Sequence, residues 1–112
     1  MTRGNVNFTQ TMTFRCKDPD RLVELARGWD ELQVEADVMG YMGSHVLADR
    51  DNPGRYIVVA EFGAVDPDVS AAEEAMKNNE REQTQEWARK LLELAEDGEV
   101  EWGHFDEIYR TG

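Results

Sequence analysis

The chain has 112 residues, of which 24 are acidic and 12 are Lys or Arg, giving a formal net charge of -12. That length fits one domain spanning residues 1–112 with a real core, too short for two ordinary domains. The charge argues against nucleic acid and anionic membrane surfaces as partners. A lone cysteine, Cys16, permits neither an intrachain disulfide nor a thiolate zinc site. There is no long apolar run, and the polar start from Met1 to Asn7 lacks a signal-peptide core, so a reducing, cytoplasmic setting is expected.

The first segment, Asn7 to Cys16, alternates: Phe8, Gln10, Met12, Phe14 and Cys16 share one face, and Thr9, Thr11, Thr13 and Arg15 the other. Period two predicts a strand. Asp18 and Pro19 then suit a helix cap and a first helical position that needs no N–H. The helix is predicted over Pro19 to Val34, with Leu22, Leu25, Ala26, Trp29 and Leu32 as its apolar stripe. Gly28 inside it either allows close packing or marks a break. Gly40 opens a second strand, Tyr41 to Asp49, and a third runs from Arg55 to Phe62. The turn formers Asp49 to Gly54 make the pair a hairpin. In the third strand both faces are apolar, so something must cover the face turned away from the helices.

Asp66-Pro67 reads as a cap and a first-turn proline for a long helical region reaching about Glu96, with a bend in the polar stretch Lys77 to Gln85 and a glycine stop at Asp97-Gly98. The last strand is predicted over Val100 to Arg110, with Trp102, His104 and Ile108 on one face and Phe105 and Tyr109 on the other. The order βαββαβ is an α+β, ferredoxin-like pattern with one antiparallel sheet, helices on one face, and an apolar face expected to meet another sheet.

The run GYMGSHVLADRDNPGRYIVVAEF (Gly40 to Phe62) resembles the central hairpin of the antibiotic biosynthesis monooxygenase-like domains of the dimeric α/β barrel superfamily. The run AAEEAMKNNEREQTQEWARKLLELAEDG (Ala71 to Gly98) resembles the second helical region of their bacterial members. The resemblance implies a homodimer whose two sheets close into a barrel, with a pocket in each subunit between sheet and helices. Some members are cofactor-independent oxygenases, others degrade haem, and others isomerise or bind small molecules. The oxygenases tend to use an Asn on the first strand and a Trp near the third. Here Asn7 stands only at the start of the first strand, with Gln10 further in, and the residue after Glu61 is Phe62.

The candidate catalytic residues are His104, His45 and Asn79; neutral imidazole suits a general base or a haem ligand near pH 7. Gln10, Met12, Tyr56, Trp87 and Trp102 are candidate substrate-binding residues, because aromatics and methionines fit an adaptable apolar cavity holding a few polar groups. Each also has a plain reading as core or strand surface. No metal site and no cofactor are expected. No phosphate loop, nucleophile elbow, CxxC or HExxH occurs, which argues against nucleotide-dependent and hydrolytic enzymes. The leading expectation is a cofactor-free monooxygenase-like homodimer acting on or binding a small aromatic or apolar molecule. The alternative is a non-catalytic ligand-binding or structural dimer of the same fold.

Overall fold

Alternation in the first segment produces the strand it predicts. The computed structural model describes residues 6–111, so the polar start at Met1 to Asn5 lies outside the described residues. Its elements are β1 (Phe8–Arg15), α1 (Pro19–Glu35), β2 (Tyr41–Ala48), β3 (Arg55–Phe62), α2 (Ala71–Asn79), α3 (Glu82–Leu94) and β4 (Glu101–Asp106). The strands pair antiparallel in the order β2-β3-β1-β4. This is the ferredoxin-like α+β arrangement, with the second helical region broken in two at the expected polar bend. No described helix is long and apolar enough to cross a membrane.

Asp18 caps α1 as expected, its side chain accepting from Arg21 N at 3.3 Å with Pro19 in the first turn. Gly28 neither packs closely nor breaks the helix; a Cβ there would meet open space. Three boundaries differ from the sequence reading by more than one residue. The next helix starts at Ala71, because Asp66 Oδ1 accepts from Asp68 N in a tight turn and Ser70 Oγ is the cap, accepting from Glu73 N. The third helix stops at Leu94, before Asp97-Gly98, because the chain there is drawn onto the end of β1. Lys17 N donates to Leu94 O, Glu96 N donates to Arg15 O, and Ala95 is extended opposite Cys16. Strand β4 ends at Asp106 opposite Phe8, where β1 begins. Beyond it Ile108 and Tyr109 lie exposed, outside the strand.

The registers sort the sheet into two faces. Toward the helices point the rows Tyr41–Phe62–Phe8–Asp106, Ser44–Ala60–Gln10–His104 and Val46–Val58–Met12–Trp102. Met12, Val58 and Phe62 from these rows are fully buried with Leu22, Trp29 and Leu91 of the helices. The other face carries Thr9, Thr11, Thr13, Ile57, Val59, Leu47, Phe105 and His45. Phe105 is 56 % exposed there and lies over Gly103, whose added Cβ would strike its ring.

Two contacts fasten α1 to the hairpin. Asp30 accepts hydrogen bonds from the Tyr41 hydroxyl and from Ser44 Oγ, the latter at 2.9 Å. Gly40, at φ +81°, lets the chain pass so close to Gly63 that Gly63 N donates to Gly40 O at 2.6 Å. A side chain at Gly40 would collide with the Gly63 carbonyl oxygen and would hold a conformation that L residues avoid.

Urea unfolding checks both glycine readings: Gly40→Ala is expected to destabilise by ~2 kcal/mol or more, whereas Gly28→Ala stabilises by roughly 0.5–1 kcal/mol. Burial, and then the bond to Asp30, push the Tyr41 phenol well above its ordinary value of 10.0. The folded protein therefore keeps this proton after the unfolded chain has lost it. The stability it contributes is complete below pH 10.0 and declines as pH climbs from there toward the raised folded value. Tyr41→Phe should flatten that alkaline decline in unfolding free energy, and an unchanged slope would exclude Tyr41 as its source.

Candidate functional site

Of the four residues that β1 turns toward the helices inside its span, only Gln10 is polar, and it is 0 % exposed. Its Oε1 accepts from Asn79 Nδ2 at 2.8 Å, while its Nε2 has no partner among the described residues. Asn79 is the last residue of α2 and also approaches Met76 Sδ, 3.9 Å away. On the other side of Gln10 stands His104 of β4, stacked on Phe8 with ring centroids 6.0 Å apart. One register further, Trp102 lies beside Met12 and is 42 % exposed.

Because β4 is an edge strand, its helix-side residues stay open to solvent, and so do Met76 and Leu92 on the helices. Asn79, His104 and Trp102 thus border a half-open, aromatic-edged patch at the sheet edge, with Gln10 and Met12 wholly buried beneath it. Its chemistry is specific. The spare Gln10 N–H can donate to an acceptor oxygen, the imidazole can take a proton, and the indole offers a flat apolar face.

The remaining sequence candidates lie elsewhere. His45 points from the opposite face of the sheet, its Nδ1 4.0 Å from Glu61 Oε1. It cannot act with His104 in one subunit, because the β-sheet separates them. Tyr56 shares the helix side but pairs with Phe14, four residues along β3 from Ala60, the partner of Gln10. Trp87 packs on Trp29 at 4.8 Å and donates from Nε1 to Leu25 O at 2.7 Å, fastening α3 to α1. Asn7 is occupied by structure, donating to Glu107 Oε2 and accepting from Ala64 N. Burial pushes the Cys16 thiol up, which keeps it protonated and a poor nucleophile.

Three polar residues in or beside the interior were not singled out from the sequence, Asp30, Ser44 and Gln33, and Asn78, expected in a solvated bend, is buried. Gln33 could have been found. It continues the stripe Leu22, Ala26, Trp29 at helical spacing and is buried with them, its amide atoms unpartnered among the described residues. Trp29 Nε1 lies near the Tyr41 hydroxyl without forming a well-aligned hydrogen bond. Among the described residues no group of three or more His, Cys, Asp or Glu could hold a metal ion. The clefts found among the described residues lie away from the Gln10 patch. One of about 560 Å³ lies where the Asp97–Glu101 loop meets Arg15 and Arg55, and one of about 430 Å³ lies beside Ser70 and Asp106.

No family model matches the chain, and no curated protein matches it. Solved structures do. A Nitrosomonas europaea protein assigned as an antibiotic biosynthesis monooxygenase superposes with a TM-score of 0.69 at 15% identity, covering 100% of this chain and 99% of its own. SnoaB, a cofactor-independent oxygenase from Streptomyces nogalater, gives 0.64 at 19% identity over 93% and 95% of the two chains. A Bacteroides thetaiotaomicron protein of unknown function, suggested to be an oxidoreductase, gives 0.66 at 10% identity over 92% and 99%. The chain therefore has the ferredoxin-like fold that antibiotic biosynthesis monooxygenase-like proteins share, along its whole described length.

Proposed function

We propose that this protein is a cofactor-independent monooxygenase acting on a small electron-rich aromatic molecule, bound at the patch around Gln10. The observation that carries the reading is the Gln10 amide: fully buried, fixed through its oxygen by Asn79, and left with a free donor beside His104 and Trp102. Burying an unpaired amide N–H costs about 1–3 kcal/mol, so a ligand oxygen that accepts from it recovers that energy. The fold shared with SnoaB supports the same reading.

The chemistry needs no resident group. With an anthrone-type substrate, His104 accepts a proton from the activated carbon, and the Gln10 N–H stabilises the resulting enolate-like oxygen. The electron-rich anion reduces dioxygen directly. A methylene becomes a carbonyl, one oxygen atom enters the product and the other leaves as water. Trp102 and Met12 would hold the ring system.

The open sheet face supports a homodimer. Ile57, Val59, Leu47 and Phe105 give it an apolar surface that a second sheet would cover. A cytoplasmic setting suits the single thiol.

With an anthrone or hydroquinone, turnover should appear in air and vanish anaerobically; equal product in both would end the oxygenase reading. Gln10→Leu should weaken ligand binding about tenfold, and His104→Ala should lower turnover by ~10²-fold with binding largely kept. In sedimentation velocity the wild-type chain should run as a dimer and Val59→Asp as a monomer. A monomeric wild type would refute the sheet-to-sheet pairing.

A further inference from the structure

Asn78 and Asn79 follow one another at the end of α2, yet their side chains serve different places. Asn79 reaches the sheet at Gln10. Asn78 is 3 % exposed; its Oδ1 accepts from Thr84 Oγ1 at 3.4 Å, and its Nδ2 has no partner among the described residues. It lines a cleft of about 260 Å³ between α2 and the turn that follows α1. Interior amides are normally satisfied, so a buried free donor in the wall of a cleft is a demand for an acceptor.

The rest of the wall states what kind. Lys77 and Arg81 bring two cations, and Asp37 and Glu74 two anions, with Ala36 and Val38 between them. Lys77 is loosely engaged, its Nζ 3.9 Å from Glu74 Oε2 and 75% exposed. Arg81 makes no ion pair among the described residues. The cleft is thus formally neutral on a chain whose net charge is -12. A free anion would approach against that field, and a simple cation would meet Lys77 and Arg81. A molecule carrying both charges meets neither obstacle.

The geometry points to a second small-molecule site, for a free α-amino acid. Its carboxylate would be held by the Arg81 guanidinium and the Asn78 amide, and its ammonium would face Asp37 and Glu74. Arg–carboxylate pairs are charge-assisted and among the stronger hydrogen-bonded contacts. The site is separate from the Gln10 patch and does not depend on the activity proposed there.

Calorimetric titration of the full chain with individual free amino acids tests it. At least one should bind saturably at one per chain, and its N-acetyl and methyl-ester derivatives should each bind about tenfold more weakly or worse. Arg81→Gln, at a partly exposed position, should reduce affinity by about the same factor. Asn78→Asp, which puts a carboxylate against the ligand's own, should abolish binding. If Asn78→Asp does not fold, Arg81→Gln and the blocked derivatives still decide. His104→Ala, on edge strand β4 and bonded to neither asparagine, should leave amino-acid binding unchanged, which separates this result from the fate of the oxygenase reading. The proposal is overturned if no amino acid binds saturably, if acetate or an alkylamine binds as well, or if binding survives Arg81→Gln undiminished.

Discussion

Strand β1 is bonded on both sides, to β3 and to β4, and its two-residue period decides which side chains of the whole sheet meet the helices. Shifting its register by one residue would turn Phe8, Met12 and Phe14 outward and bring a row of threonines into the core. The apolar face allows one pairing on each side, and the hairpin and edge strand follow from it. Gln10 occupies a position in that pattern which packing alone would assign to an apolar residue. Its presence there is a local conflict that the hydrogen bond from Asn79 resolves for the amide oxygen alone.

Polar groups form a line across the helix side of the sheet, from half-buried Ser44 through buried Gln10 to exposed His104. Ser44, Gln10 and His104 stand in one register row, with Ala60 between the first two. Asp30 of α1 meets this row at Ser44 and Asn79 of α2 meets it at Gln10. Apolar contacts tolerate sliding, whereas hydrogen bonds in a dry interior do not. These two bonds therefore set where each helix sits along the strands, and Trp87 adds a third fastening between α3 and α1.

Much of this was readable from residue order. The strands show period two or two-sided apolar runs, the first cap is a plain Asp-Pro pair, and the polar stretch between the later helices does break them. Where a boundary departs from the sequence pattern, a competing hydrogen bond outweighs the cap or stop signal, local in one case and long-range in the other. Ser70 displaced the Asp66-Pro67 signal because Asp66 spends its side chain on its own turn. Ala95 left the helix because Arg15 and Cys16 offered sheet-like partners. Among the site candidates, Gln10, Asn79, Met12, Trp102 and His104 come together, since parity along β1 and β4 places them on one side. His45 falls on the other face by the same parity, after an irregularity between Tyr41 and Gly43 that no residue pattern announces. The partnerless state of Asn78 needed three-dimensional contacts to be visible at all.

The adjacent asparagines of α2 have a mechanical consequence. Successive residues on a helix project about 100° apart, so a small turn of the last coil about its axis swings both amides together. Any such rotation that tightens Asn78 on whatever occupies its side of the helix must also change the 2.8 Å bond from Asn79 to Gln10. The end of α2 is in this sense a rocker, with the sheet interior under one arm and the interhelical seam under the other.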